Sequence, residues 1–76
     1  MTEYIWLDIF GDNLARLMLE HHMTQKELAE LSGLAESTIS RFLNKQMMPN
    51  VKSILNISYA LHCTMDELAD FGETID

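Results

Sequence analysis

Thr24-Gln25-Lys26-Glu27-Leu28-Ala29-Glu30-Leu31-Ser32-Gly33-Leu34-Ala35-Glu36-Ser37-Thr38-Ile39-Ser40-Arg41-Phe42-Leu43 is the stretch on which the reading of this chain turns. It opens on a capping box: the Thr24 hydroxyl can accept from the backbone N–H three residues on, and Glu27 can reach back to the N–H of Thr24. Leu28, Ala29 and Leu31 are expected to supply the apolar side of the helix that follows. Gly33 stands where a helix stops in a left-handed residue. After the turn Gly33-Leu34-Ala35, a second helix of about 36–43 carries Ile39, Phe42 and Leu43 on its inner face. Two short helices joined by a short turn containing glycine make a helix-turn-helix over roughly residues 24–43. Leu28, Leu34, Ile39 and Phe42 are expected to lock the angle between the two helices by packing inward, which frees the outer face of the second.

On the N-terminal side, Phe10, Leu14 and Leu17 recur at i, i+4 and i+7, one face of a helix that ends near His21-His22. Tyr4-Ile5-Trp6-Leu7 either extends that helix or forms a separate arm. On the C-terminal side, Asn44 to Met48 read as a loop, and one of Met47 and Met48 is expected to be exposed. Asn50, after the single proline Pro49, is the N-cap of a fourth helix with the stripe Ile54, Ile57 and Leu61. Thr64-Met65-Asp66-Glu67 is a second capping box and opens a short fifth helix containing Leu68. The expected fold is therefore all-α, a compact bundle of about five short helices with a central helix-turn-helix. One domain is expected over residues 1–76, with a core of about 10–68, an N-terminal arm at 1–9 and an acidic C-terminal tail at 69–76. Both ends carry apolar residues, so arm and tail are expected to cover each other or to form part of a dimer interface.

Seventy-six residues allow one small core, because a chain of this size buries only about 60% of its unfolded surface. The lone cysteine, Cys63, excludes an intrachain disulfide and reads as a small buried hydrophobe. No apolar run is long enough for a membrane span. No basic-then-apolar leader is present either, so a cytoplasmic protein is expected. The net charge is −7, yet its distribution is uneven. Residues 21–52 hold four of the five basic side chains, Lys26, Arg41, Lys45 and Lys52, and sum to +1. Residues 1–20 sum to −3 and residues 53–76 to −5. That polarity suits a molecule presenting one face to a polyanion, and the total predicts weak non-specific binding.

The quoted stretch resembles the phage-repressor and Cro type of helix-turn-helix regulator, the lambda-repressor-like DNA-binding domains. Pro49-Asn50, Tyr59-Ala60-Leu61 and Thr64-Met65-Asp66-Glu67-Leu68 are similar to that family's closing helices. The resemblance covers about residues 10–68 and implies a sequence-specific transcriptional regulator, with repression the expected direction. The implied partner is double-stranded operator DNA, bound as a homodimer. It places Gln25 on a phosphate and turns Glu36, Ser37, Thr38 and Arg41 toward base edges. Arg41 has the fork that grips a guanine, and Glu36 can accept from a cytosine amine. Thr24, Ser40 and Lys45 are further phosphate candidates. Against the family pattern, Ala35 replaces a capping residue, and Lys45 replaces a frequent glycine, so that Asn44 is expected to supply any positive φ. Met18 and Leu43 replace a frequent buried ion pair.

Plainer readings stand beside these. Glu36 also suits a helix N-terminus for its charge alone, and Lys26 and Glu30 are spaced for a surface pair. His21, His22, His62 and Cys63 lack the paired spacing of a zinc site, so no metal and no other cofactor is expected. No nucleophile–base pair or phosphate loop is present, so no enzyme, membrane or small-molecule role is expected. The rival function is an acidic protein-interaction module, anti-repressor-like or antitoxin-like, that uses the same fold without strong DNA binding.

Overall fold

The i, i+4, i+7 spacing of Phe10, Leu14 and Leu17 builds a helix, and a longer one than the stripe requires. The computed structural model describes residues 2–68, with the backbone alone for residues 2–4. Within them α1 spans Thr2–Glu20, so Tyr4 to Leu7 continue the first helix, and residues 2–9 of the segment expected as an arm are helical. The remaining elements are α2 (Gln25–Ser32), α3 (Glu36–Leu43), α4 (Val51–Ala60) and α5 (Met65–Leu68), with no strand among the described residues. No helix among them is long and apolar enough to cross a membrane. The expected acidic tail lies outside the described residues.

The core forms where the five elements meet. Phe10, Leu14 and Leu17 of α1 are fully buried with Leu28 of α2, Ile39 and Phe42 of α3, Ile57 and Leu61 at α4 and Leu68 of α5. α1 lies against α3 and α5, and α2 lies between α3 and α4. The rings of Phe10 and Phe42 meet edge to face, with centroids 5.4 Å apart and planes at 89°. Such a pair adds roughly 0.5–1.5 kcal/mol beyond the area it buries. Asn13 donates from Nδ2 to the Leu68 carbonyl at 2.8 Å and ties α1 to the end of α5. Met18 is buried and Leu43 half-buried beside the core, so that pair packs as hydrocarbon. In the loop after α3, Met47 packs against the core and Met48 is the exposed one. Leu31 is the exception on α2. It is 62% exposed, and the buried side of that helix is Leu28, Ala29 and Ser32 instead. Two residues after Ala29 is a rotation of about 200°, which carries Leu31 to the solvent side.

The helices stop in the same way three times. At the end of α1, Met23 N–H bonds the Met18 carbonyl and His22 N–H the Leu19 carbonyl. At the end of α3, Gln46 bonds Arg41 and Lys45 bonds Phe42. At the end of α4, Cys63 bonds Ser58 and His62 bonds Tyr59. Each is the paired closure that needs a left-handed residue. His22, Lys45 and His62 adopt it with φ of 53°, 60° and 53°. The left-handed residue after α3 is thus Lys45 itself, while Asn44 stays at φ −88°. Asn44 is still inside the last closing turn, whose geometry assigns the reversal to the next position.

Helix starts follow the expected chemistry. Thr24 and Glu27 form both halves of the capping box, Thr64 and Glu67 repeat it before α5, and Asn50 Oδ1 accepts from Ser53 N–H at 2.8 Å. Ala35 has the extended backbone of a cap, φ −70° and ψ 146°, but no side chain to bond the first turn of α3. Ala35→Ser therefore inserts a cap into a backbone already shaped for it. It is expected to stabilise the fold by about 1 kcal/mol, read as a thermal midpoint about 4–8 °C higher.

Candidate nucleic-acid interface

The helix-turn-helix is held from inside at its turn. Gly33 takes φ 76°, and its N–H closes on the Ala29 carbonyl. Leu34 is half-buried against the core, and its N–H reaches Ser32 Oγ at 3.3 Å. α3 then runs with Ile39 and Phe42 facing inward. At about 100° per residue, Ser37, Arg41 and Asn44 fall opposite that inner face, and all three are exposed. Thr38 and Ser40 lie at the two edges of this outer strip and are half-buried. Glu36 is exposed at the first position of α3, where the helix dipole favours its charge. The base-contact candidates Glu36, Ser37, Thr38 and Arg41 thus share one outward region with the phosphate candidate Ser40.

Asn44 belongs to the same strip and is not among the sequence candidates. Its Nδ2 donates to the Ser40 carbonyl at 3.0 Å and lies 3.3 Å from Ser40 Oγ. That bond holds the amide along the exposed edge of the last turn. The cue in the sequence is its place one helical turn beyond Ser40 and Arg41. That place becomes informative only once α3 is known to run through Leu43.

At the start of α2 the candidates divide. Gln25 is exposed at the first helical position, where N–H groups and the helix dipole favour an anion. Thr24, one residue earlier, has both of its donors directed to Glu27. Its backbone N–H is 2.9 Å and its hydroxyl 3.1 Å from Glu27 Oε1. The backbone and side-chain bonds from Thr24 hold the Glu27 carboxyl below its ordinary value of 4.5. Thr24 therefore serves the cap, and Gln25 is the group left facing solvent.

Lys45 is also engaged within the chain. Its ammonium is 2.8 Å from Asp12 Oδ1 and 3.7 Å from Asp8 Oδ1, both on α1. The hydrogen bond to Asp12 is the main cause that pushes the Lys45 titration above its ordinary value of 10.5. A further surface pair joins Arg16 to Glu20 at 3.3 Å, whereas none joins Lys26 to Glu30 among the described residues. Cys63 is half-buried beside the core, and burial pushes its thiol up, as expected for a packing residue. No cluster of histidine, cysteine and acidic side chains fit to hold a metal occurs among the described residues.

Compared with known proteins, residues 13–73 match the family model of the Cro/C1-type helix-turn-helix DNA-binding domain. Among solved structures, the restriction-modification controller protein C.AhdI from Aeromonas hydrophila superposes with a TM-score of 0.81 at 32% identity, over 86% of this chain and 98% of that one. No curated protein matches the chain.

The Glu27 carboxyl carries a pH dependence of known sign. Its folded value is depressed, so its contribution is present above pH 4.5 and is lost as the pH falls through the folded value. Glu27→Ala is expected to be less stable than the parent at neutral pH. The gap should narrow as urea unfolding is repeated at successive pH values below about 4.5. A gap that stays constant down to about pH 3 would rule the carboxylate out as the stabilising group.

Proposed function

The chain belongs to the Cro/C1-type helix-turn-helix DNA-binding family and is a DNA-binding transcriptional regulator; on that premise we propose that it acts as a homodimeric repressor that reads a two-fold operator with α3. That family is one of DNA-binding regulators rather than enzymes. The observation that carries the proposal is the outward strip of Ser37, Arg41 and Asn44 on a helix whose other side is fixed by Ile39 and Phe42. Arg41 grips a guanine by its fork, Glu36 accepts from a cytosine amine, and Ser37 and Thr38 bond base edges or the flanking backbone. Gln25 holds a phosphate at the start of α2 and sets the register of α3 in the groove. Ser40 is a further phosphate contact: its Oγ accepts from Asn44 Nδ2, which leaves the hydroxyl hydrogen to donate. The site of action is the cytoplasm, where an operator is met. The likeness to a restriction-modification controller makes promoters of such systems the first natural DNA to try.

The dimer reading is supported by α4. Val51, Leu55 and Tyr59 recur at i, i+4 and i+8 and are 64%, 49% and 85% exposed. Three large apolar side chains aligned on one solvent face are more than the scattered single residues of an ordinary surface. A second copy seated on this stripe would give two α3 helices related by a two-fold axis, suited to half-sites about one DNA turn apart.

Selection from a randomised duplex pool is expected to enrich a two-fold motif. Arg41→Ala should then weaken the selected duplex about tenfold or more and relax one position in each half. A folded protein that enriches nothing at low or near-physiological salt would shift the assignment to a protein-interaction module. Sedimentation tests the dimer. The wild type should run as a dimer, and Leu55→Glu with Tyr59→Glu as a folded monomer. A wild type that stays monomeric at tens of micromolar removes the dimer from the proposal.

A further inference from the structure

Lys45 is an unusual residue for its place. Its φ of 60° puts an L side chain in the left-handed region, at about 1 kcal/mol or more that a glycine would not incur. His22 and His62 close their helices at similar φ, so what singles out Lys45 is where its side chain goes. Its stem lies across α1 at Gly11, where an added Cβ would come within 2.9 Å of Lys45 Cγ and 3.0 Å of the Phe42 carbonyl. Only a bare backbone at Gly11 lets the stem pass. One turn of α1 spaces Asp8 and Asp12 on either side of that crossing, and the ammonium ends 2.8 Å from Asp12 and 3.7 Å from Asp8. Three features of two separate segments thus converge on one ammonium, just after the helix that carries Arg41.

We infer that Asp12, with Asp8 beside it, occupies the Lys45 ammonium in place of a DNA phosphate and so lowers the protein's affinity for DNA, random sequence included. The inference rests on the reading that α3 lies in the groove, which places Lys45 at the phosphate rim. A carboxylate oxygen presents to an ammonium the same anionic acceptor that a phosphate oxygen does. The ion pair is solvent-exposed, with the two acids about two-thirds open. Such a pair is weak enough to be exchanged for DNA once base contacts hold α3 in register. On random DNA nothing else fixes that register, and the exchange is not made. Asp12 and Asp8 then hold down both affinities: random DNA forgoes the Lys45 contact, and the selected duplex must displace the carboxylate to make it.

The test is a double-mutant cycle of wild type, Asp12→Asn, Lys45→Met and the double variant, each checked for folding by its thermal melt. Binding to the selected duplex and to a random duplex is measured over a salt series. Asp12→Asn is expected to bind random duplex about threefold tighter at low salt. Its log affinity should fall more steeply with log salt, by about 0.9 for the one added phosphate, and the selected duplex, which no longer has to displace the carboxylate, should gain at least as much. In the Lys45→Met background the same change should do little. An equal gain in both backgrounds would reduce the effect to general loss of negative charge and overturn the inference, as would no gain at all. If none of the four binds either duplex, the operator reading fails by itself. The same four proteins on a heparin column then decide the contact. Later elution of Asp12→Asn only where Lys45 is present supports the competition, and equal elution overturns it.

Discussion

The contact of Phe10 with Phe42 is the constraint on which the rest of the molecule depends. It joins α1 to α3 at 5.4 Å between ring centroids and nearly a right angle between planes. Such a geometry fixes the roll of both helices, because either ring turned by a rotamer loses the edge-to-face arrangement. With Phe42 fixed, Ile39 one turn earlier points into the same core, and Ser37, Arg41 and Asn44 are forced outward. The outward strip is therefore a consequence of packing on the opposite side of α3. The close approach at Gly11, one residue after Phe10, follows from the same contact.

Electrostatics are arranged around that frame more than they are summed over it. A net charge of −7 predicts weak attraction to a polyanion. The free bases at the outward region are few, and Lys45, which adjoins it, is matched by two acids from α1. Thr24 is likewise committed to Glu27. Among the described candidates, Gln25, Glu36, Ser37 and Arg41 are exposed and not engaged within the chain, and the ammonium groups of Lys26 and Lys52 are exposed as well. On the proposed reading, such a regulator would lean on geometry in the groove for its discrimination, with a modest contribution from counterion release.

Much of the local structure can be read from adjacent residues. The two capping boxes, the Asn50 cap, the Gly33 stop and the stripes of α1, α3 and α4 are all patterns within four residues or so, and each is present as read. The placing of Ser37 and Arg41 on an exposed face follows from the positions of Ile39 and Phe42 alone. The departures share a cause. Apolarity points Leu31 inward, yet the neighbours of α2 cover only Leu28, Ala29 and Ser32. Residue type favours Asn44 for the positive φ, yet the closing bonds from Gln46 to Arg41 and Lys45 to Phe42 assign it to Lys45.

By itself, then, the sequence determined the helices, their starts and stops, and the helix-turn-helix, because caps and helical periodicity act over one or two turns where the chain is its own neighbour. Only the tertiary structure decided which exposed groups are free to meet a ligand. Asp12 and Lys45 lie far apart in the chain, and nothing in either neighbourhood marks them as partners. They meet because Phe10 and Phe42 bring α1 onto the end of α3 and Gly11 leaves room for the lysine stem. A contact of that kind is set by how helices pack, which depends on the whole core at once.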